Sequence, residues 1–369
     1  MGPLHNPNPH GALWLYVPLP QNEQRILSSS VETNKAHRIT IKNYPPNHDF
    51  HPLGVQIWPS HAGNSSNLYV VNHARERTVI EQFLINPSHP IEIVHVRTVS
   101  HPYFLSPNAL ALTSPDSFYV SNDHLMTRRL PILGHVLPIM ESLLALPLGY
   151  VSHVTLNSPS ASMTQGRSAD PIAKHAFAKL FIPFPNGVAI SASGTEVVIV
   201  STTLNQISFY ERHPATNELT RLKHAVPVPF SPDNIHYSPS LTNKGQEDVI
   251  VAGHPNFPDL TAVAANKTRA SSSSWVVAIV PKDNEVTAKS EKMFDQEAPV
   301  SISTKIPRDG NNWTLKTLFQ SDGIEEKGGF GGSTTGLRDP ESGALYVSGL
   351  YARGGLLVCR PPSEKYQLK

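Results

Sequence analysis

Short apolar runs recur along the chain, each closed by turn residues. Leu68–Val71, Phe118–Ser121, Glu196–Ser201, Asp248–Ala252 and Ala344–Ser348 are β-branched or aromatic and bounded by polar, Gly or Pro positions, which predicts short strands. Gln206–Glu211 alternates apolar and polar, as a strand with one buried face does. The runs belong to a loose repeat in which a turn rich in Pro, Asn, Asp or Gly leads into one strand, and a polar turn into a second. Pro107–Leu112 with Pro115–Val120, Pro185–Val200, Pro232–Tyr237 with Asp248–Val251, and Gly332–Leu337 with Ala344–Ser348 are instances. Self-similarity at roughly 40–50 residues predicts propeller blades. The chain therefore reads as all-β, a single propeller domain over residues 1–369. The first strands of its blades converge on one axis, and the Pro-Asn and Asp-Asn turns with them.

Two kinds of segment interrupt the pattern. Leu130–Leu156 is apolar, with Glu141 its one carboxylate. Pro131, Pro138, Pro147 and Gly149 argue against a straight membrane span. A helical lid over residues 130–156 is expected instead, facing a lipid surface. Residues 157–178 and 262–275 are polar and Ser-rich and read as exposed loop insertions.

Composition narrows the function. Of 369 residues, 39% are apolar and 16% charged, with a net charge of +1, so a core can be buried and no nucleic-acid partner is indicated. The 34 Pro and 22 Gly favour strands and loops over a helical bundle. The 18 His are scattered, with no paired helical spacing for zinc. One cysteine, Cys359, excludes an internal disulfide and reads as a small apolar residue at a strand end. The first residues, Met1–Pro20, have neither the basic start nor the apolar stretch of a signal peptide.

The candidate chemistry is oxygen-donor chemistry. Asn108, Asn122-Asp123, Asn186-Gly187, Asp233-Asn234 and His254 with Asn256 stand at turns that recur in the repeat. Each taken alone is an ordinary turn-former that bonds its own backbone. Taken together, side-chain amides and a carboxylate gathered on one axis suit calcium, which takes oxygen ligands. Zinc would demand a tight His/Cys set.

Leu68–His73, Ser106–Ala111, Tyr119–His124, Pro185–Ser191, Ser231–Ile235, Gly253–Asn256, Gly332–Thr334 and Gly355–Cys359, taken in order, resemble the consecutive blades of the serum paraoxonase/arylesterase family. The resemblance implies a six-bladed propeller with two calcium ions in its tunnel, one catalytic and one structural. It implies that Asn122, Asn186, Asp233 and Asn234 hold the catalytic ion. Asp123 and the backbone carbonyl of Val55 would serve the structural one. Phe184 and Leu53 match pocket-lining positions, His254 matches a further one with a catalytic part, and His73 matches the second member of a histidine dyad that activates water. The implied activity is hydrolysis of lactones or aryl esters, the metal polarising the carbonyl.

Two departures are legible. Leu53 stands where the resemblance places the first dyad histidine, and Leu53 cannot relay a proton. His51, two positions earlier, would point the same way on a strand; Asp233 is the alternative base or nucleophile. The family's N-terminal cysteine and Glu-Asp pair have no counterpart before Val55, and Gly11–Val17 resembles the strand that follows that pair. The chain is thus expected to begin inside the first blade, with each calcium short of one carboxylate and Cys359 without the partner that the resemblance implies. An omitted upstream segment and a genuine short form are the two explanations. By resemblance the protein is secreted or membrane-associated, a monomer, with a small-molecule lactone or ester as its partner. The competing readings are a catalytically impaired propeller acting as a binding or membrane-surface protein, and a gluconolactonase- or strictosidine-synthase-like propeller.

Overall fold

A computed structural model describes residues 10–19, 31–158, 170–241, 243–267, 270–281 and 313–361. Two compact units divide the chain: Met1–Pro138 with Gly149–Leu180, and Ile139–Leu148 with Phe181–Lys369. Both are built of the antiparallel meanders that make propeller blades, so the class is all-β propeller.

In the first unit, β1 (Trp14–Val17) and β2 (Lys35–Arg38) form a two-stranded ribbon. A five-stranded sheet follows, with β3 (Thr40–Lys42), β4 (Pro52–Ile57), β5 (Ser66–Asn72), β6 (Val79–Ile85) and β7 (Glu92–Val99) in the order β3-β7-β6-β5-β4. Its one parallel pairing is β3 on β7. The second sheet runs in chain order through β8 (Pro107–Ser114), β9 (Ser117–Asn122), β10 (Gly149–Leu156) and β11 (Ile172–Ile182). Tyr69, Ile80, Phe118, Val120 and Val154, all fully buried, join the two sheets in one core.

The second unit holds two four-stranded blades and a three-stranded one. They are β12 (Pro185–Ile190) to β15 (Leu219–Pro227) through β13 (Glu196–Ser201) and β14 (Gln206–Arg212); β16 (Ser231–Pro239) to β19 (Trp313–Ser321) through β17 (Glu247–His254) and β18 (Ser274–Pro281); and β20 (Ser333–Arg338), β21 (Leu345–Gly349) and β22 (Leu356–Cys359). Phe209, Phe230, Val251 and Trp275 fill the core between the first two of these. Each such side chain contributes about 1.5–3 kcal/mol on burial. The described residues thus form five blade sheets and a ribbon.

Two expectations change here. Of Leu130–Leu156, only the 3-10 turn Leu133–His135 and α1 (Leu137–Leu143) are helical. Gly149–Leu156 is β10, an inner member of its sheet, with Tyr150 opposite Asn122. Prolines at 131, 138 and 147 confine the helix, and the alternating Gly149–Leu156 segment finds a strand to pair with. The stretches 157–178 and 262–275 are not wholly exposed loops. Residues from Ile172 onward are strand, α2 (Phe257–Ala264) enters the second stretch, and Ser272, Ser273 and Ser274 are buried. Residues 159–169 and 268–269 lie outside the described residues.

Candidate functional site

One irregularity recurs at the start of every blade's first strand. The register slips between Pro52 and Val55, Pro107 and Leu110, Pro185 and Val188, Pro232 and Ile235, and Ser333 and Thr335. A bulge re-aims the residues it contains. Those residues are Leu53-Gly54, Asn108-Ala109, Asn186-Gly187, Asp233-Asn234 and Thr334. Opposite each bulge lies the end of the blade's second strand: Asn72, Asn122, Ser201, His254 and Gly349. The Asn and Asp positions read from the sequence therefore fall into two rows rather than one. Asn108, Asn186 and Asp233-Asn234 sit in first-strand bulges, whereas Asn122-Asp123 and His254 sit at second-strand ends.

In the second unit the two rows meet closely. A Cβ on Gly187 would lie 2.6 Å from the carbonyl oxygen of Asp233 and 2.9 Å from Cα of Asn234, so only glycine lets β12 approach β16. Asn186, 5% exposed, donates through Nδ2 to Thr202 Oγ1 at 3.3 Å, and Thr202 donates to the carbonyl of Pro232 at 2.7 Å. Asn234 donates through Nδ2 to Thr335 Oγ1 at 3.0 Å. Because an amide is planar, fixing its nitrogen on a protein acceptor turns its oxygen the other way. Asp233 Oδ2 lies 3.2 Å from Nε2 of the fully buried His254, whose Nδ1 has no hydrogen-bond partner among the described residues. Phe184, the expected pocket residue, takes a left-handed φ of 43° just before the bulge, and its carbonyl accepts from the Thr202 amide. A bulky residue there is strained.

In the first unit, Asn122 is fully buried; its Oδ1 accepts from the Ser106 amide at 3.4 Å and its Nδ2 has no hydrogen-bond partner among the described residues. Asp123 accepts from Asn108 Nδ2 at 3.0 Å and pairs with His124 Nδ1 at 3.0 Å. Burial pushes its carboxyl up, but the hydrogen bond and charge of His124, with Asn108 and Ser106, outweigh burial and hold it below its ordinary value. His73 donates from Nε2 to the carbonyl of Pro107 at 2.8 Å. Its neutral ring therefore keeps the lone pair on Nδ1. Burial pulls its pKa down, against the Pro107 carbonyl and the charge of Asp123. The amide of His73 donates to the carbonyl of His51 at 3.0 Å, which sets His51 and His73 opposite one another with side chains on one face. His51 Nε2 is 3.4 Å from Asp49 Oδ2. Leu53 lies in the bulge and, like Val55, is exposed.

The structure thus groups Asn186, Asp233, Asn234 and His254 in one unit, and His73, Asn122 and Asp123 in the other. Sequence reading missed Thr202 and Thr335, the hydroxyls that orient the amides. Thr202 follows the second-strand end Ser201, as His73 follows Asn72 and Asp123 follows Asn122, and that phase was the available signal. Among the described residues no three His, Cys, Asp or Glu side chains converge as a zinc site requires. The donors present are hard oxygens of amides and a carboxylate, the set that suits calcium.

Meandering blade sheets whose first strands open on a bulge define the class as an all-β propeller. The profile of the Arylesterase family matches residues 6–303, and the chain belongs to that family. It is 24% identical over 231 residues to serum paraoxonase/lactonase 3 of Oryctolagus cuniculus, covering 63% of this chain and 56% of that protein. It is 28% identical over 207 residues to serum paraoxonase/arylesterase 1 of Homo sapiens, covering 56% and 50%. The chain spans about half the length of these curated relatives. Among solved structures, a putative 6-phosphogluconolactonase from Bacteroides uniformis aligns at a TM-score of 0.42 and 12% identity, over 84% of this chain and 68% of that one.

Proposed function

We propose that the protein hydrolyses lactones and aryl esters, with Asn186, Asp233 and Asn234 as oxygen ligands to a calcium ion. The observation that carries this reading is the pair of bulges in β12 and β16, where Thr202 and Thr335 hold the amide nitrogens and so orient the oxygens. Calcium bound there would supply Lewis-acid polarisation of the ester carbonyl. In the same reading Asp123 and the Val55 carbonyl serve a second ion.

The chain's own residues supply the proton chemistry. His73 stays neutral under working conditions because burial disfavours its charged form. Its Nε2–H is held by Pro107, so Nδ1 is the atom that takes a proton from the attacking water. Asp233 and His254 share a hydrogen bond, which keeps the carboxylate oriented beside the amides. His51, whose carbonyl accepts from the His73 amide at 3.0 Å, is the neighbouring histidine in place of the Leu53 position.

The test is phenyl acetate and γ-lactone hydrolysis, with bound calcium measured on the same sample, before and after chelation. Activity that a chelator abolishes and calcium restores supports the reading. No turnover of either substrate at any calcium concentration ends it.

A second reading, attachment to a lipid surface, is favoured by one observation. Ile132, Leu133, Leu143 and Leu144 are 94%, 53%, 76% and 59% exposed. Large apolar side chains exposed to this degree suit the interface of a membrane rather than water. No described helix is long and apolar enough to cross a membrane. Co-sedimentation with phosphatidylcholine vesicles should fall several-fold in the Ile132→Asp/Leu143→Asp variant; equal sedimentation contradicts this reading.

A further inference from the structure

The first unit contains a buried carboxylate with no part in the chemistry above. Glu81, on β6, has a fully buried side chain. Its Oε1 accepts from His48 Nε2 at 2.7 Å and Asn72 Nδ2 at 2.9 Å, and its Oε2 from Thr98 Oγ1 at 2.6 Å and His95 Nε2 at 3.0 Å. Four short bonds occupy the acceptor sites of an ionised carboxylate. Tyr44 adds a longer contact at 3.3 Å. The Glu81 side chain has no exposed surface, so its purpose lies in what it holds.

What it holds is Asn72. That amide has two hydrogens, and its two shortest acceptors are Glu81 Oε1 and the carbonyl of Asp49, both at 2.9 Å. With the nitrogen fixed on both sides, Oδ1 is turned toward β4, where it accepts from the His51 amide at 2.8 Å. The next residue after Asn72 is His73, whose amide bonds back to the His51 carbonyl at 3.0 Å. Side-chain and backbone bonds together clamp the end of β5 to the start of β4. The clamp lies opposite the bulge that Leu53 and Gly54 occupy, where the ladder itself is interrupted. Asp49 is drawn into the same frame, since its Oδ2 accepts from the Arg75 amide at 2.7 Å and faces His51.

We propose that Glu81 is a positioning residue for His73: through Asn72 it sets the β4–β5 clamp that aims the His73 ring at the Pro107 carbonyl. The inference rests on the reading of His73 as the base. It assigns a role to a side chain that never meets the reacting atoms.

Glu81→Gln tests it. One carboxylate oxygen becomes an amide nitrogen facing donors, so a bond of the clamp must be given up. Misalignment well under an ångström is worth about tenfold in rate. The expected outcome is a kcat for phenyl acetate lowered about tenfold with little change in KM. The midpoint of the His73 imidazole titration, followed by NMR, should move as well. Thr98→Val is the control, since it removes a donor from Oε2 without touching Asn72. It should lower the melting temperature while leaving kcat and the His73 titration in place. A Glu81→Gln protein that is folded and matches wild type in both readouts overturns the proposal, and so does a Thr98→Val protein that shifts both equally. If the wild type hydrolyses nothing, the hydrolase reading fails on its own, and the His73 titration still decides whether Glu81 positions that ring.

Discussion

Two side chains state most of the chemistry of this molecule. Burial by itself raises the Glu81 carboxyl, yet the bonds from His95, Thr98, Asn72 and His48 outweigh it and bring it down to about 2 from an ordinary 4.5. Its folded value lies below its unfolded one. The stabilisation, about 3 kcal/mol, is therefore complete above the unfolded value and is lost as pH falls from ~4.5 through ~2. Urea denaturation at a series of acid pH values should show a steep loss for wild type, and a curve flatter by about that amount for Glu81→Gln. His73 is also lowered, which for a base favours the neutral form: burial keeps it neutral below the ordinary histidine value. The acid limb of kcat/KM should accordingly lie below about pH 6.5. His73→Gln should cost a factor of about 10²–10⁴ in kcat and remove that limb, as a pH–rate profile will show. A limb unchanged in His73→Gln would assign the base elsewhere, with Asp233 the next candidate.

Strands and bulges explain what could be read before any coordinates and what could not. Leu68–Val71, Phe118–Ser121, Glu196–Ser201, Asp248–Ala252 and Ala344–Ser348 all proved to be second strands, β5, β9, β13, β17 and β21. Four of these are covered on both faces, which is why each is a near-continuous apolar run, whereas β21 buries only the face of Leu345 and Val347. Outer strands such as β15 are exposed over most of their length and left no pattern to read. The first strands were legible only through their openings, where Pro-Asn and Asp-Asn were taken for turns. Proline is tolerated there because a bulge interrupts the ladder. That Thr202 and Thr335 orient the amides is a tertiary fact, since each acts on a residue of a different strand. Gly187 is the sharpest test at this level. Gly187→Ala drives a methyl against the Asp233 carbonyl, and overpacking of this kind costs about 1–3 kcal/mol. Chemical denaturation should show that loss, and calcium affinity should weaken with it. An alanine variant as stable as wild type would mean that β12 and β16 do not approach as described.

For the protein as a unit, the proposed hydrolysis depends on a cation held by the oxygens of Asn186, Asp233 and Asn234. Phe118 and Trp275 are fully buried in the blade cores, and close-packed interiors of this kind hold side chains in place. The most direct measurement is a calcium titration coupled to phenyl acetate hydrolysis, run on wild type and on Asn186→Leu. Wild-type turnover that rises and saturates with calcium, and a variant needing at least about tenfold more calcium for the same rate, is the expected pattern. Turnover indifferent to both chelator and the Asn186 substitution would contradict it.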